Sequence, residues 1–282
     1  MPLVFVATPL GNLRDVTLRG LDVLRDAELI VAEDTRVARK LLRALDLPAR
    51  EIWSYREQNA QRATAGILER AREALVAVTT DAGMPGISDP GSELIAAARA
   101  QGVAVEVLPG GTAATGVAVL SGFPLRRFTF EGFPPRTGAA RRERFKRSLQ
   151  PDTTTIWYES PQRVRATLAD LAEVAPNARV FLVREYTKVH EEQLTGTPQD
   201  VAAQLTEPVR GEVAFAIAPH EALAAPPRRA ATSEAIDALL EDGHRVGEVA
   251  KLLAARGFGE RQQLYARVTE RKARRKTSIK KR

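Results

Sequence analysis

The sequence predicts an α/β protein: two mixed α/β domains, then a small, basic, helical C-terminal extension. Three observations carry this. Short apolar runs rich in branched residues alternate with stretches of helical periodicity through the first 120 residues, and such alternation favours a largely parallel sheet with helices on its faces. The pattern breaks at Gly122-Phe-Pro124 and then resumes, which sets expected domains at 1–122 and 123–222. The paired prolines of Leu223-Ala-Ala-Pro-Pro-Arg228 read as a linker to a third segment, 223–282. A chain of 282 residues has room for this at roughly 100–200 residues per domain.

Leu3–Ala7, Leu29–Ala32, Leu75–Thr80 and Val103–Leu108 are the expected strands of the first domain. Leu18, Leu21 and Leu24 recur at helical spacing, as do Val37, Leu41, Leu42 and Leu45. Asp15 or Thr17 can cap the first of these helices, and Ser92 stands near the start of one after Thr80. In the second domain Phe128–Glu131, Thr154–Glu159, Val180–Glu185 and Glu212–Ala218 read as strands, with helices over Arg163–Val174 and Gln199–Leu205. Three small helices are expected beyond the linker, over Ser233–Leu240, Val246–Ala255 and Gln262–Val268.

Composition excludes several chemistries. With no cysteine there is no disulfide and no thiolate-bound zinc or iron–sulfur cluster. His190, His220 and His244 are scattered, so no metal is expected. The apolar N-terminus reads as a buried strand rather than a signal peptide, and no run approaches the ~20 apolar residues of a membrane span. A soluble cytoplasmic protein is the expectation. The formal charge of +7 is a property of the tail: eight of the 42 Lys and Arg residues fall in 271–282, which holds no acid, and without them 34 basic residues face 35 acidic ones. Such a tail points to a polyanion partner, most often nucleic acid, or to a solvated tail.

The common phosphate loops are absent. Gly111-Thr-Ala-Ala-Thr-Gly116 has P-loop glycine spacing, but Val117 and Ala118 stand where Lys and Ser or Thr are needed. No G-x-G-x-x-G follows the first strand and no G-x-S-x-G elbow occurs. Three other Gly- and Pro-containing loops follow expected strands: 7–14, 81–91 and 109–114. In open α/β sheets ligands bind beyond the carboxyl ends of strands, so three such loops together predict a cleft.

These loops, with Val31-Ala-Glu-Asp-Thr-Arg36, Phe130-Glu-Gly-Phe133, Tyr158-Glu-Ser-Pro161, Arg184-Glu-Tyr-Thr-Lys188, His190-Glu191 and Gly211-Glu-Val213, resemble the tetrapyrrole methylase superfamily over residues 3 to 218. Within it they most resemble the branch that 2′-O-methylates a cytidine of small-subunit (16S) ribosomal RNA. The resemblance implies two α/β domains with S-adenosyl-L-methionine in the cleft between them, and a homodimer. Carried residue by residue, it implies that Pro9, Asp81, Gly83, Pro85, Ile87, Thr112 and Ala113 line the cofactor from the first domain, and Tyr158 and Glu159 from the second. The chain departs from the family pattern at Met84-Pro-Gly86 and Gly111-Thr-Ala113; Met84 replaces a hydroxyl with a thioether.

A neutral ribose hydroxyl is a weak nucleophile, so a base within hydrogen-bond reach would help. Glu33, Asp34, Glu159, Glu185 and Lys188 stand near strand ends as candidates, with Glu33, Asp34 and Lys188 preferred; positioning without a base is the alternative. Arg36, Arg141, Arg142 and Arg184 are the expected RNA contacts. Arg136, Arg141, Arg142, Arg144, Lys146 and Arg147 form a basic cluster among Phe128, Phe130, Phe133 and Phe145. That pattern suits single-stranded RNA, or equally a solvated helix with core phenylalanines. A methylase of a small tetrapyrrole-like metabolite and a non-catalytic ribosome-assembly protein are the competing functions.

Overall fold

The computed structural model describes residues 2–220, 233–255, 258 and 261–279. The expected linker at 223–228 and the last three residues lie outside these. Contacts divide the chain into two compact units, 1–222 and 223–282.

The first unit holds two five-stranded sheets. Strands β1 (Leu3–Phe5), β2 (Leu29–Ala32), β3 (Glu51–Ser54), β4 (Val76–Thr79) and β5 (Val105–Val107) form a wholly parallel sheet in the order β3-β2-β4-β1-β5. Its inner strands β1, β2 and β4 are buried along their whole length, as parallel strands covered on both faces must be. Helices α1 (Leu18–Asp26) and α2 (Thr35–Ala44) cover one face through Leu24, Ala38 and Leu42. Helices α3 (Ala60–Glu73) and α4 (Ser92–Ala100) cover the other through Ile67, Leu68, Leu94 and Ala98. Of the two expected caps for α1, Thr17 takes the role, accepting from the Gly20 N–H at 3.0 Å.

Helix α5 (Ala113–Leu120) leads into the second sheet. Strands β6 (Phe128–Gly132), β7 (Thr154–Glu159), β8 (Val180–Arg184), β9 (Glu192–Gly196) and β10 (Val213–Ile217) pair in the order β6-β7-β10-β8-β9. Only β6 and β7 run parallel. On one face α6 (Gly138–Ser148), α7 (Val164–Val174) and α8 (Pro198–Gln204) enclose a core built on Trp157, Phe145 and Phe215. Trp157 stacks on Phe215 and meets Phe145 edge-on at 5.0 Å. Its indole N–H finds the Thr155 hydroxyl at 2.9 Å, so the ring is buried with its donor satisfied. On the other face Ala114, Val117 and Ala118 of α5 pack against Ile156, Val183 and Ala214.

The 223–282 unit contains α9 (Ser233–Glu241), α10 (Val246–Ala255) and α11 (Arg261–Ile279). Their shared core is Ile236, Leu239, Val249, Ala250, Leu253, Leu264 and Val268. Helix α11 runs well past the expected end at Val268. The apolar repeat stops there, but the Ala, Arg and Lys that follow are good helix formers. Among the described residues no helix is long and apolar enough to cross a membrane.

Candidate functional site

The order of the first sheet assembles the site. Because β4, β1 and β5 are neighbours, the three loops leaving their carboxyl ends lie side by side. The first two are tied by a backbone bridge, Thr8 N–H to Gly83 at 2.9 Å and Gly83 N–H to Thr8 at 3.0 Å. The third ends at Thr112, whose hydroxyl caps α5 by accepting from the Thr115 N–H at 3.2 Å. From the second sheet, β7 brings Tyr158 across: its phenol oxygen accepts from the Ala114 N–H at 2.9 Å.

Between these loops and the second sheet lies a cavity of about 330 Å³. Six expected cofactor residues line it: Gly83, Ile87, Thr112, Ala113, Tyr158 and Glu159. Pro9 lines a neighbouring hollow, of about 300 Å³, that shares Leu10, Thr112 and Tyr186 with the first. Asp81 and Pro85 border neither cavity. Asp81 instead accepts from the Asp34 N–H at 3.2 Å, where β2 runs beside β4.

Glu159 is wholly buried and fully engaged. It accepts from the Ser160 N–H at 2.7 Å, the Thr167 hydroxyl at 2.5 Å and Arg163 at 3.1 Å. Burial pushes the Tyr158 phenol upward, and the Asp89 and Glu212 carboxylates add to that, against the Ala114 N–H. Asp89 also lines the cavity. Burial, opposed by the Thr80 hydroxyl and reinforced by Glu33, Asp81 and Glu212, raises its carboxyl to about 6. The loop carrying it is unrelaxed, since Ser88 sits at φ +64°, a costly region for a residue with a side chain.

The three residues preferred as catalytic stand around the cavity rather than in its lining. Glu33 accepts from the Thr80 hydroxyl at 3.1 Å. Asp34 caps α2, and the Arg36 guanidinium beside it holds its carboxyl well below the usual range, with Arg56 contributing. Burial works against the charge on Lys188, but hydrogen bonds and attraction from Glu185 (2.8 Å) and Glu212 (3.2 Å) outweigh it and raise its pKa. Asp34 and Lys188, two of the residues expected to be catalytic, are thus each held by an opposite charge. Lys188 also packs over the first loop at Gly11, where a Cβ would come within 2.3 Å of its stem.

The expected RNA contacts divide in the same way. Arg36 is exposed, although its guanidinium meets Asp34 at 2.6 Å. Arg184 is held by Glu192, its cross-strand partner, at 2.9 Å. Arg142 pairs with Asp170 and with Glu173. Arg141 is 6% exposed and bonded to Asp170, so it has no surface to offer RNA. Arg144 and Lys146 are paired too, with Glu131 and Glu143. Apart from Arg136, which precedes it, the cluster is thus a helix, α6, with Phe145 in the core and most of its charge neutralised. Sequence reasoning gave no role to Asp89, Glu212 or Tyr186. All three lie within or beside quoted motifs, and their signal was the motif itself rather than any periodicity.

Comparison with known proteins agrees with this geometry. Residues 2–202 match the family described as Tetrapyrrole (Corrin/Porphyrin) Methylases. The chain is 41% identical over 212 residues to Ribosomal RNA small subunit methyltransferase I of Halalkalibacterium halodurans, covering 74% of this chain and 73% of that one. It is 39% identical over 275 residues to the protein of that name from Mycobacterium tuberculosis, covering 95% and 94%. That match reaches into the C-terminal unit, beyond residue 218. Among solved structures, uroporphyrin-III-C-methyltransferase from Thermus thermophilus shares the fold, with a TM-score of 0.57 at 22% identity over 77% of this chain and 94% of that one. The chain therefore belongs to the tetrapyrrole methylase family of methyltransferases.

Proposed function

We propose that this protein transfers a methyl group from S-adenosyl-L-methionine to the ribose 2′-hydroxyl of a cytidine in 16S ribosomal RNA. The carrying observation is the cavity, walled from both sheets at the carboxyl ends of β4 and β7. Its chemistry fits the cofactor. Ile87, Val183, Val213 and Ala214 offer an apolar wall for an adenine, and Asp89 and Glu212 offer negative charge to a sulfonium and an ammonium. Relatives near 40% identity over most of their length carry the ribosomal name, which favours RNA over a small tetrapyrrole. We further assign the chain to the cytoplasm, where ribosomes mature, and to a homodimer on the small ribosomal subunit.

When bound, S-adenosyl-L-methionine supplies an electrophilic methyl carbon on its sulfonium. The protein's task is to hold the hydroxyl about 3–3.5 Å from that carbon and in line with the leaving sulfur. The rigid bridge between Thr8 and Gly83 and the Tyr158 contact to α5 fix the walls that do this. Residues 271–282 add sequence-independent attraction to RNA that weakens with salt. Isothermal calorimetry with S-adenosyl-L-methionine is expected to show one site per chain. Absence of heat and of any thermal shift at saturating ligand would sink the methyltransferase reading.

A further inference from the structure

A lone exposed phenylalanine is ordinary on a protein surface. Phe133 is not ordinary, because it is 54% exposed, borders the cavity and sits on a loop held by two arginines anchored on buried carboxylates. Strand β6 shifts register between Phe130 and Gly132, and Gly132 turns at φ +69°, a conformation open to glycine at little cost. Pro134 and Pro135 follow, with their own restricted backbone. Arg163 donates to the Pro134 carbonyl at 2.6 Å and the Pro135 carbonyl at 3.2 Å, and is itself anchored by Glu159. Arg141 donates to the carbonyls of Pro135 at 3.3 Å and Arg136 at 3.4 Å, and is anchored by Asp170. Two arginines, each tied to a buried carboxylate, thus clamp a short loop whose tip is an exposed ring. Tyr158 meets that ring edge-on at 5.7 Å. Three residues on, Arg136 is exposed and joins no ion pair among the described residues.

We propose that Phe133 is the platform on which the base of the acceptor nucleotide stacks, with Arg136 receiving a neighbouring phosphate. The proposal rests on the RNA methyltransferase reading and deepens it. A 2′-hydroxyl that reaches the methyl carbon carries its own base one sugar carbon away. That base must therefore lie at the cavity rim, where Phe133 stands. Aromatic faces stack on unpaired bases of any identity, and a splayed single-stranded nucleotide offers one. A planar guanidinium three residues along the same loop matches a phosphate. On this view Glu159 is a positioning residue: it acts through Arg163 and the Pro134 carbonyl, which its lack of any free oxygen requires.

The test uses the full chain with small ribosomal subunits lacking the modification and labelled S-adenosyl-L-methionine. Phe133→Ala is expected to lower kcat/KM for the particle about 10- to 100-fold, through KM for RNA. The Kd for the cofactor should stay within about twofold, since stacking acts on the RNA side. Phe133→Trp should restore most of the loss. Arg136→Ala should reduce the salt slope of RNA binding by about one. Wild-type-like kcat/KM in Phe133→Ala would overturn the proposal. So would a matching loss of cofactor affinity, which would give the ring to the cofactor, or a changed oligomeric state, which would give it to an interface between copies. If the wild-type chain binds cofactor but transfers no methyl to RNA, the functional reading itself fails and the platform falls with it.

Discussion

Asp89→Asn is expected to make the protein more stable at neutral pH and to weaken cofactor binding about tenfold, the size of one lost charge contact in a partly buried site. The carboxyl of Asp89 is raised to about 6 by burial, with Glu33, Asp81 and Glu212 adding repulsion and Thr80 opposing. An acid whose folded pKa lies above its unfolded value loses stability as pH rises. The unfolded chain releases its proton first, near the ordinary carboxyl value of 3.8, and the penalty is complete above about 6. Asparagine does not titrate. The two proteins should therefore unfold alike below about pH 4 and diverge between there and about pH 6. Asp89 is only half-buried, so solvent screening cuts the nominal shift to about 1 kcal/mol. Urea unfolding at several pH values measures this, and calorimetry measures the affinity. A stability difference that persists at low pH, or one of opposite sign, would show that the carboxylate is not held against its own charge. Sites that keep a disfavoured charge give up stability for binding.

Asp170→Ala is expected to cost about 3–5 kcal/mol of folding stability. Asp170 on α7 is 9% exposed and receives both Arg141 and Arg142 from α6. Its loss leaves the Arg141 guanidinium buried without a counter-charge, and the penalty of an unpaired buried charge far exceeds the worth of a surface pair. Whole domains are stable by only about 5–15 kcal/mol, so the variant should unfold at markedly lower urea. Replacing Arg141 and Asp170 together with apolar residues of similar volume should recover most of the loss, because nothing charged is then stranded. If the single and double variants are equally destabilised, α6 and α7 are held by packing and the ion pair contributes little.

The buried strands were legible because burial leaves a mark in composition. Leu29–Ala32 and Thr154–Glu159 are strands with the expected bounds, since every residue or nearly every one had to be apolar or branched. The edge strands β3 and β9 were not read. Glu51–Ser54 is half-exposed throughout, and Glu192–Gly196 buries only Leu194, so neither carries a period-two signal. Helix α5 was not read: its first two residues fell in the loop at 109–114, and Gly116 with its branched neighbours gives no helical signal. It forms because Thr112 caps it and Val117 and Ala118 pack on the second sheet. At the site, the loops were legible as glycine and proline punctuation and the resemblance named the residues in them. The pairing of Arg141 with Asp170, 29 residues away in sequence, was not, because no local pattern records which charge a fold will bury.

The central claim is methyl transfer to a ribose hydroxyl, and one measurement reaches it directly. Purified protein, S-adenosyl-L-methionine and small subunits from cells lacking the modification are incubated, and the extracted 16S RNA is digested and mapped by mass. The account predicts one new methyl group on the ribose of a cytidine, seen as a linkage that resists nuclease and alkali. Recovery of a base-methylated nucleoside with its ribose unmodified, or of RNA that gains no methyl group at all, would contradict it.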